Sequence, residues 1–146
     1  MKPLHLLPLA HHRVEHANRC VHLPLGSRRV ALCARCLGLY PAMFLAFAAQ
    51  WALQVGSLGR ADLLIAVGLA LPGLLDWGEG ILNPGSGNNA RRLITGAMLG
   101  LALGRTLWIH AQNPWGELLW IQMFVLAAGA VAFLILRRIR PEDGEG

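Results

Sequence analysis

The sequence predicts an all-α integral membrane protein with four transmembrane helices and a Cys/His-rich N-terminal headpiece. Hydrophobic residues make up 55% of its 146 residues and charged residues only 14%, whereas soluble domains are about 25% charged. The apolar residues fall into four runs, each long enough to cross a hydrocarbon core of about 30 Å. We therefore divide the chain into a headpiece (residues 1–36), a four-helix transmembrane domain (37–136) and a short tail (137–146).

The headpiece is polar, basic and rich in potential metal ligands. A short helix is predicted over 10–19, and Pro24 and Gly26 indicate a turn after it. Five of the six histidines lie in this part of the chain: His5, His11, His12, His16 and His22.

The first two predicted helices cover residues 37–55 and 62–81. Nineteen residues rise about 28 Å in an α-helix, which is enough to span the membrane core. Pro41 lies near the start of helix one, where a missing N–H is tolerated. Pro72 lies inside helix two, and we expect it to kink that helix and to free the carbonyl group of Gly68.

The third and fourth predicted helices cover 90–111 and 117–136. Asn88 or Asn89 is expected to cap the third helix. That helix carries a glycine stripe, defined as Gly96, Gly100 and Gly104, and such a spacing lets another helix approach closely in lipid. The stripe is interpreted as a packing contact without chemistry. A second copy of the chain or a partner membrane protein is the candidate for the other helix.

The positive charges predict the orientation in the membrane. The net charge is +5 and the isoelectric point is near 10.1, but the arginines lie beside apolar runs, so no nucleic-acid partner is expected. Outside the helix interiors, the basic residues lie in the headpiece, in the loop after helix two with the start of helix three, and at the C-terminus, with Arg60 as the exception. By the positive-inside rule, both termini and the middle loop are then cytoplasmic in a multi-pass protein of the inner membrane.

The three cysteines of the headpiece predict a metal site. Cys20 and His22 precede a Cys-x-x-Cys pair, Cys33 and Cys36, and this donor set suits tetrahedral zinc or another divalent metal. The alternatives are thiols without a ligand in a reducing compartment and a redox-active pair. His12 or His16 could replace His22. The string His12-x-x-Glu15-His16 also matches an inverted zinc-peptidase pattern, but no soluble domain follows to supply a cleft.

A second group of polar residues is predicted where helices two and three meet. Asp76 and Glu79 share one helix face, and carboxylates within a predicted span usually have a partner or a function. One interpretation is an ion pair from Asp76 to Arg92, and the other is a pocket for a lipid head group, an anion or a substrate. Farther along helix three, Arg105 is expected to reach outward toward Glu117, or to be a buried functional charge. The predicted polar cluster comprises Asp76, Glu79, Asn88, Asn89, Arg91, Arg92 and Thr95.

These motifs together resemble a bacterial and archaeal family of multi-pass membrane proteins catalogued as domain of unknown function 2085. The resemblance covers roughly residues 10–105. Where family members have an adjacent Cys-His pair, this chain has Cys20-Val21-His22. The family has Asp or Cys at the position of Cys36, which implies a metal ligand, because either residue can bind a metal and only cysteine can form a disulfide. The residues that carry the resemblance are Cys33-Ala34-Arg35-Cys36-Leu37-Gly38-Leu39-Tyr40, Cys20, His22, Asp76 and Gly87-Asn88-Asn89-x-x-Arg92-x-x-Thr95-Gly96.

The resemblance implies no activity. The sequence therefore predicts a small polytopic membrane protein with a Cys/His metal site at the cytoplasmic membrane face, next to the polar cluster. Membrane lipids are its expected partners. The alternatives are a membrane enzyme that acts on a lipid or small molecule at the inner surface, and a membrane thiol–disulfide oxidoreductase.

Overall fold

The computed structural model describes residues 20–25, 28–84 and 86–140. These residues form a two-stranded hairpin followed by a helical bundle. Predictions for the histidines of residues 1–19, for a helix over 10–19 and for the acidic tail beyond Arg140 lie outside the described residues. The elements are β1 (Cys20–Leu25), β2 (Arg28–Cys33), α1 (Ala34–Leu53), α2 (Arg60–Gly68), α3 (Ala70–Leu82), α4 (Asn89–Gln112) and α5 (Glu117–Ile139).

In the part of the chain that the structure describes, four helical segments are long and apolar enough to cross a membrane, as predicted. They are α1, the α2–α3 pair taken together, α4 and α5. No charged residue of α5 lies between Glu117 and Arg137, which explains why its mean hydropathy reaches 2.4. Large apolar side chains such as Phe44, Leu64 and Phe124 are exposed on the outside of the bundle, where a bilayer would cover them.

The hairpin corrects the expectation that the chain is entirely helical. β1 and β2 pair in antiparallel register, with Cys20 opposite Cys33 and Leu25 opposite Arg28. The strands are only six residues long, and Pro24 interrupts the apolar alternation that would indicate a strand. The Cys/His-rich headpiece remains a prediction as a structural unit, because four of its five histidines precede Cys20 and lie outside the described residues.

The second span is interrupted where a kink was expected. Helix α2 ends at Gly68 and α3 begins at Ala70, two residues before Pro72. Pro72 lacks an N–H and its ring displaces the carbonyl four residues back, which belongs to Gly68. The break at Leu69 therefore follows from the proline.

Helix α4 is the centre of the bundle. In its most apolar window 44% of residues are buried, against 6% in α1 and in α5. The glycine stripe of α4 receives α1 of the same chain. A Cβ atom at Gly96, Gly100 or Gly104 would meet the backbone carbonyl oxygen of Arg35, Leu39 or Met43, respectively. The glycine stripe therefore packs against a helix of the same chain. Association with a second copy or a partner protein was predicted through this stripe, and it stays a prediction that the stripe no longer supports.

The alternating helices bring the hairpin, the start of α1, the end of α3, the start of α4 and the end of α5 to one end of the bundle. We call this the hairpin end, and the other the opposite end. Two hydrogen bonds support the arrangement. The Asn89 side chain donates to the carbonyl oxygen of Cys20 over 3.4 Å, and Arg140 donates to the Asn83 side chain over 3.3 Å.

Candidate functional site

The three cysteines meet at the junction between the hairpin and α1. Cys20 lies opposite Cys33 in the strand register, and Cys33 is the residue immediately before α1. Cys36 follows in the first turn of that helix, and its side chain is hydrogen-bonded to that of Cys33. Cys20 and Cys33 are buried, with exposed fractions of 5% and 4%, and no disulfide joins any of the three.

Burial disfavours the charged thiolate form of Cys20. It raises the pKa of Cys20 above the usual value for cysteine, and the neighbouring Cys33 raises the pKa further. The thiolate is the form that attacks disulfides or binds metals. Any metal that enters this site must therefore displace protons from it.

The described residues alone do not make a metal site. Within residues 20–25, 28–84 and 86–140, no group of three or more His, Cys, Asp or Glu side chains is placed to hold a metal ion. His22 lies in β1, opposite Ala31, while the alternative ligands His12 and His16 precede the described chain. The structure thus brings together the predicted cysteines but does not choose between the histidines.

Asp76 is the centre of an ion-pair network at the hairpin end, called here the Asp76 cluster and defined as Arg35, Asp76, Glu79 and Arg91. Only 2% of the Asp76 side chain is exposed. Its two carboxylate oxygens accept from different arginines, Arg35 Nε at 2.6 Å and Arg91 Nε at 2.7 Å. Arg91 also pairs with Glu79 at 2.9 Å. One carboxylate therefore joins α1, α3 and α4.

The prediction of an ion pair between Asp76 and Arg92 was wrong, because the neighbouring Arg91 pairs with Asp76 instead. Arg92 donates instead to the carbonyl oxygen of Ser86 over 2.7 Å and to Asn89 over 3.5 Å. Successive residues on a helix point about 100° apart. The shift by one residue therefore sends Arg91 toward α3 and Arg92 toward the loop before α4.

The remaining members of the predicted polar cluster form hydrogen bonds at the start of α4, and two of them, Asn88 and Thr95, stabilise that helix itself. Asn88 caps the helix by accepting from the backbone N–H of Arg91 at 2.7 Å, as expected for an N-cap. The hydroxyl of Thr95 donates back to the carbonyl oxygen of Arg91 over 2.9 Å. Thr95 thus bonds within its own helix, whereas Asn89 links the hairpin to the bundle.

A second buried ion pair lies toward the opposite end of the bundle, and it corrects the expectation for Arg105. Arg105 turns inward and is only 5% exposed. Its Nε donates to Asp62 over 2.8 Å, Nη1 donates to Gln50 over 2.7 Å and Nη2 donates to the carbonyl oxygen of Gly56 over 2.8 Å. The expected reach toward Glu117 is not formed, because Asp62 supplies a counter-charge inside the bundle.

A cavity of about 400 Å³ adjoins the cysteines. Cys33, Cys36 and Arg35 line one part of it, and apolar side chains of α1, α3, α4 and α5 line the rest. Pockets for small molecules have volumes of roughly 300–1,000 Å³ and a mostly apolar lining with a few polar groups. This space therefore has the size and composition of a ligand site.

Sequence reasoning missed the two residues that complete the ion pairs, Arg35 and Asp62. Arg35 lies between Cys33 and Cys36, and sequence reasoning used it as a positive charge and as part of the motif that carries the resemblance, but assigned it no partner. Asp62 was taken as the first residue of helix two. Each has its partner about 40 residues away along the chain, Asp76 for Arg35 and Arg105 for Asp62. The available indication was the other member of each pair, Asp76 or Arg105, because a charge inside a predicted span usually needs a partner.

The two carboxylates of the Asp76 cluster should differ in how much they contribute to the stability of the bundle. Asp76→Asn should destabilise the bundle by about 3 kcal/mol, because the buried carboxylate compensates Arg35 and joins three helices. Glu79→Gln should change the thermal midpoint little, because 43% of the Glu79 side chain is exposed and exposed ion pairs contribute little. Thermal unfolding of both variants in detergent measures the difference. Equal midpoints for the two would contradict the assignment of Asp76 as the structural centre.

Comparison with known protein families identifies a match over most of the chain. The family model described as a predicted membrane protein, domain of unknown function 2085, matches residues 15–106. No curated protein and no solved structure matches the chain. The matched region includes all three cysteines, the Asp76 cluster and the glycine stripe. Since it covers more than half of the 146 residues, the chain belongs to the membrane-protein family of domain of unknown function 2085.

Proposed function

We propose that this membrane protein holds a divalent metal ion, zinc by its donor set, at the junction of the hairpin and α1. The observation that supports the proposal is the convergence of three cysteines from β1, β2 and α1. Cys20, Cys33 and Cys36 would supply three thiolates, and His22, His12 or His16 would supply the fourth ligand. The metal would draw Cys20 toward the other two thiols, since binding and local folding are coupled at such sites.

Such an ion would fasten the hairpin to the bundle next to the Asp76 cluster. Arg35 lies two residues after Cys33, and its side chain reaches Asp76 on α3. A ligand set on both strands and on the first turn of α1 would therefore fix the hairpin relative to α1, α3 and α4. A zinc site closed by four protein ligands is structural, whereas a catalytic zinc site keeps one position open for water or substrate.

Metal analysis of the purified protein tests the proposal. We expect the wild-type protein to contain one zinc ion per chain, and Cys33→Ser and Cys36→Ser to lose it. Cys36→Asp is the matched variant, because the family motif has Asp or Cys at this position and a carboxylate can still bind the metal. Because the ligands must lose protons, metal retention should weaken as the pH falls. Metal content unchanged in both serine variants would refute the site.

The same measurement identifies the histidine. Replacement of His22, His16 and His12 by alanine, one at a time, should lower zinc affinity in one variant only. A Cys33–Cys36 disulfide in protein purified without reductant, together with an absence of metal, would favour the thiol–disulfide oxidoreductase instead. Circular dichroism of each variant checks that the helical bundle is retained.

We further propose that the hairpin end faces the cytoplasm and that the protein resides in the inner membrane. Arg35, Arg91, Arg92, Arg137, Arg138 and Arg140 belong to helices or segments at the hairpin end, whereas Arg60 lies at the opposite end. Basic residues are retained on the cytoplasmic side of a membrane. This distribution supports cytoplasmic N- and C-termini.

Two introduced cysteines test the orientation. Ala90→Cys lies in the first turn of α4 at the hairpin end, and Trp115→Cys lies in the loop between α4 and α5, where Trp115 is 92% exposed. In spheroplasts, a membrane-impermeant maleimide should label Trp115→Cys and should label Ala90→Cys only after permeabilisation. The wild-type protein provides the background from its own thiols. The reverse pattern would invert the topology.

A further inference from the structure

The cavity beside the cysteines is bordered by two helices that do not pack closely against each other. Helix α1 packs mainly on α4, whereas α5 packs mainly on α3 and α2. The cavity occupies the space that this arrangement leaves between α1 and α5, with α3 and α4 behind it. Its apolar part is lined by Leu39, Leu74, Trp77, Leu99, Leu126 and Ala130.

Charge distinguishes one part of this cavity from the rest. Among the described residues that line it, Arg35 alone carries a charge. Arg35 follows Cys33 in the first turn of α1, so it lies at the membrane boundary while the apolar lining extends toward the membrane interior. Arg35 donates to Asp76 through Nε and Nη2, and within the described residues no hydrogen bond uses its Nη1, which can therefore donate to a phosphate oxygen. Arginine pairs well with phosphate oxygens.

We propose that this cavity binds an acyl chain of one anionic phospholipid, with the lipid phosphate at Arg35. The apolar lining matches hydrocarbon, the guanidinium matches a phosphate, and the volume of about 400 Å³ is within the range of ligand pockets. A phospholipid places its charge at the membrane boundary and its chains in the interior, which is the order in which the cavity presents Arg35 and the leucines. This site does not depend on the proposed metal, so the failure of one would leave the other intact.

Native mass spectrometry with added phosphatidylglycerol and phosphatidylcholine of equal chain length tests the proposal. Ala130→Phe places a ring in the cavity from α5. Ala127→Phe adds the same ring to the same helix at an exposed position that does not line the cavity. We expect the wild-type protein and Ala127→Phe to retain one phosphatidylglycerol. Ala130→Phe should bind it about tenfold more weakly, which corresponds to about 1.4 kcal/mol of binding free energy.

Arg35→Gln tests the charge separately. Asp76 keeps Arg91 in this variant, so thermal unfolding should show a folded bundle. We expect the variant to lose the preference for phosphatidylglycerol over phosphatidylcholine while it still binds both. Equal lipid retention by Ala130→Phe and Ala127→Phe would overturn the cavity as the site. A wild-type protein that binds the two lipids equally would overturn the role of Arg35.

Discussion

Asp62→Asn should destabilise the protein by about 3–5 kcal/mol, because it leaves the Arg105 guanidinium buried without a counter-charge. The Asp62 and Arg105 side chains are only 4% and 6% exposed, and their charged atoms are 2.7 Å apart. Arg105 also donates to Gln50 and to the backbone of Gly56. The pair thus joins α4 to α2, to α1 and to the loop between α1 and α2.

A double-mutant cycle measures this effect. Arg105→Gln should also be strongly destabilising, since it leaves the buried Asp62 carboxylate without its arginine. The double variant Asp62→Asn with Arg105→Gln should lose less stability than the sum of the single variants, because no uncompensated charge remains. Thermal midpoints in detergent give the three values. Arg60→Gln, a nearby exposed charge, is the control and should have little effect, while strictly additive losses would argue against a direct pair.

Gly100→Ala is expected to give the second large loss of stability, about 1–3 kcal/mol, because the added methyl group meets the backbone carbonyl oxygen of Leu39. A backbone atom cannot turn aside as a side chain can, so α1 must move away from α4. The movement would also disturb the contacts that Gly96 and Gly104 make with α1. Gly100→Val should weaken the contact further.

Gly68→Ala is the matched control for this prediction. Nothing lies within 4 Å of a Cβ atom built at Gly68, so the methyl group enters open space. The higher helix propensity of alanine should leave the free energy of unfolding unchanged or raise it by up to about 1 kcal/mol. Thermal unfolding of both variants compares a glycine needed for packing with one that is not. Similar behaviour of Gly100→Ala and Gly68→Ala would show that α1 does not depend on the glycine stripe.

The parts of the fold that could be predicted from sequence are those set by local physical chemistry. Four apolar runs define the spans, Pro72 explains the break at Leu69, and Asn88 caps α4 because its side chain reaches an N–H three residues on. The glycine stripe indicated a close helix contact. Which helix packs against the stripe depends on how the helices are arranged in three dimensions. The sequence therefore could not show that this helix is α1.

The candidate site was predicted less completely, for two physical reasons. A rotation of one residue on a helix changes the direction of a side chain by about 100°, and this decided between Arg91 and Arg92 as the partner of Asp76. The hairpin was missed because Pro24, which cannot donate a hydrogen bond between strands, lies inside β1 and was interpreted as part of a turn. Its register brings Cys20 opposite Cys33, a proximity that the spacing of the cysteines alone could not establish.

The place of α4 at the centre of the bundle has a consequence for biosynthesis. Helix α1 is synthesised before α4, the helix whose glycine stripe receives it. During translation α1 must therefore remain in the membrane through its own hydrophobicity, and Arg105 enters the bilayer only after Asp62 and Gln50 are already there. The hydrogen-bond acceptors Asp62 and Gln50 are thus already in the membrane when the charged Arg105 side chain is inserted.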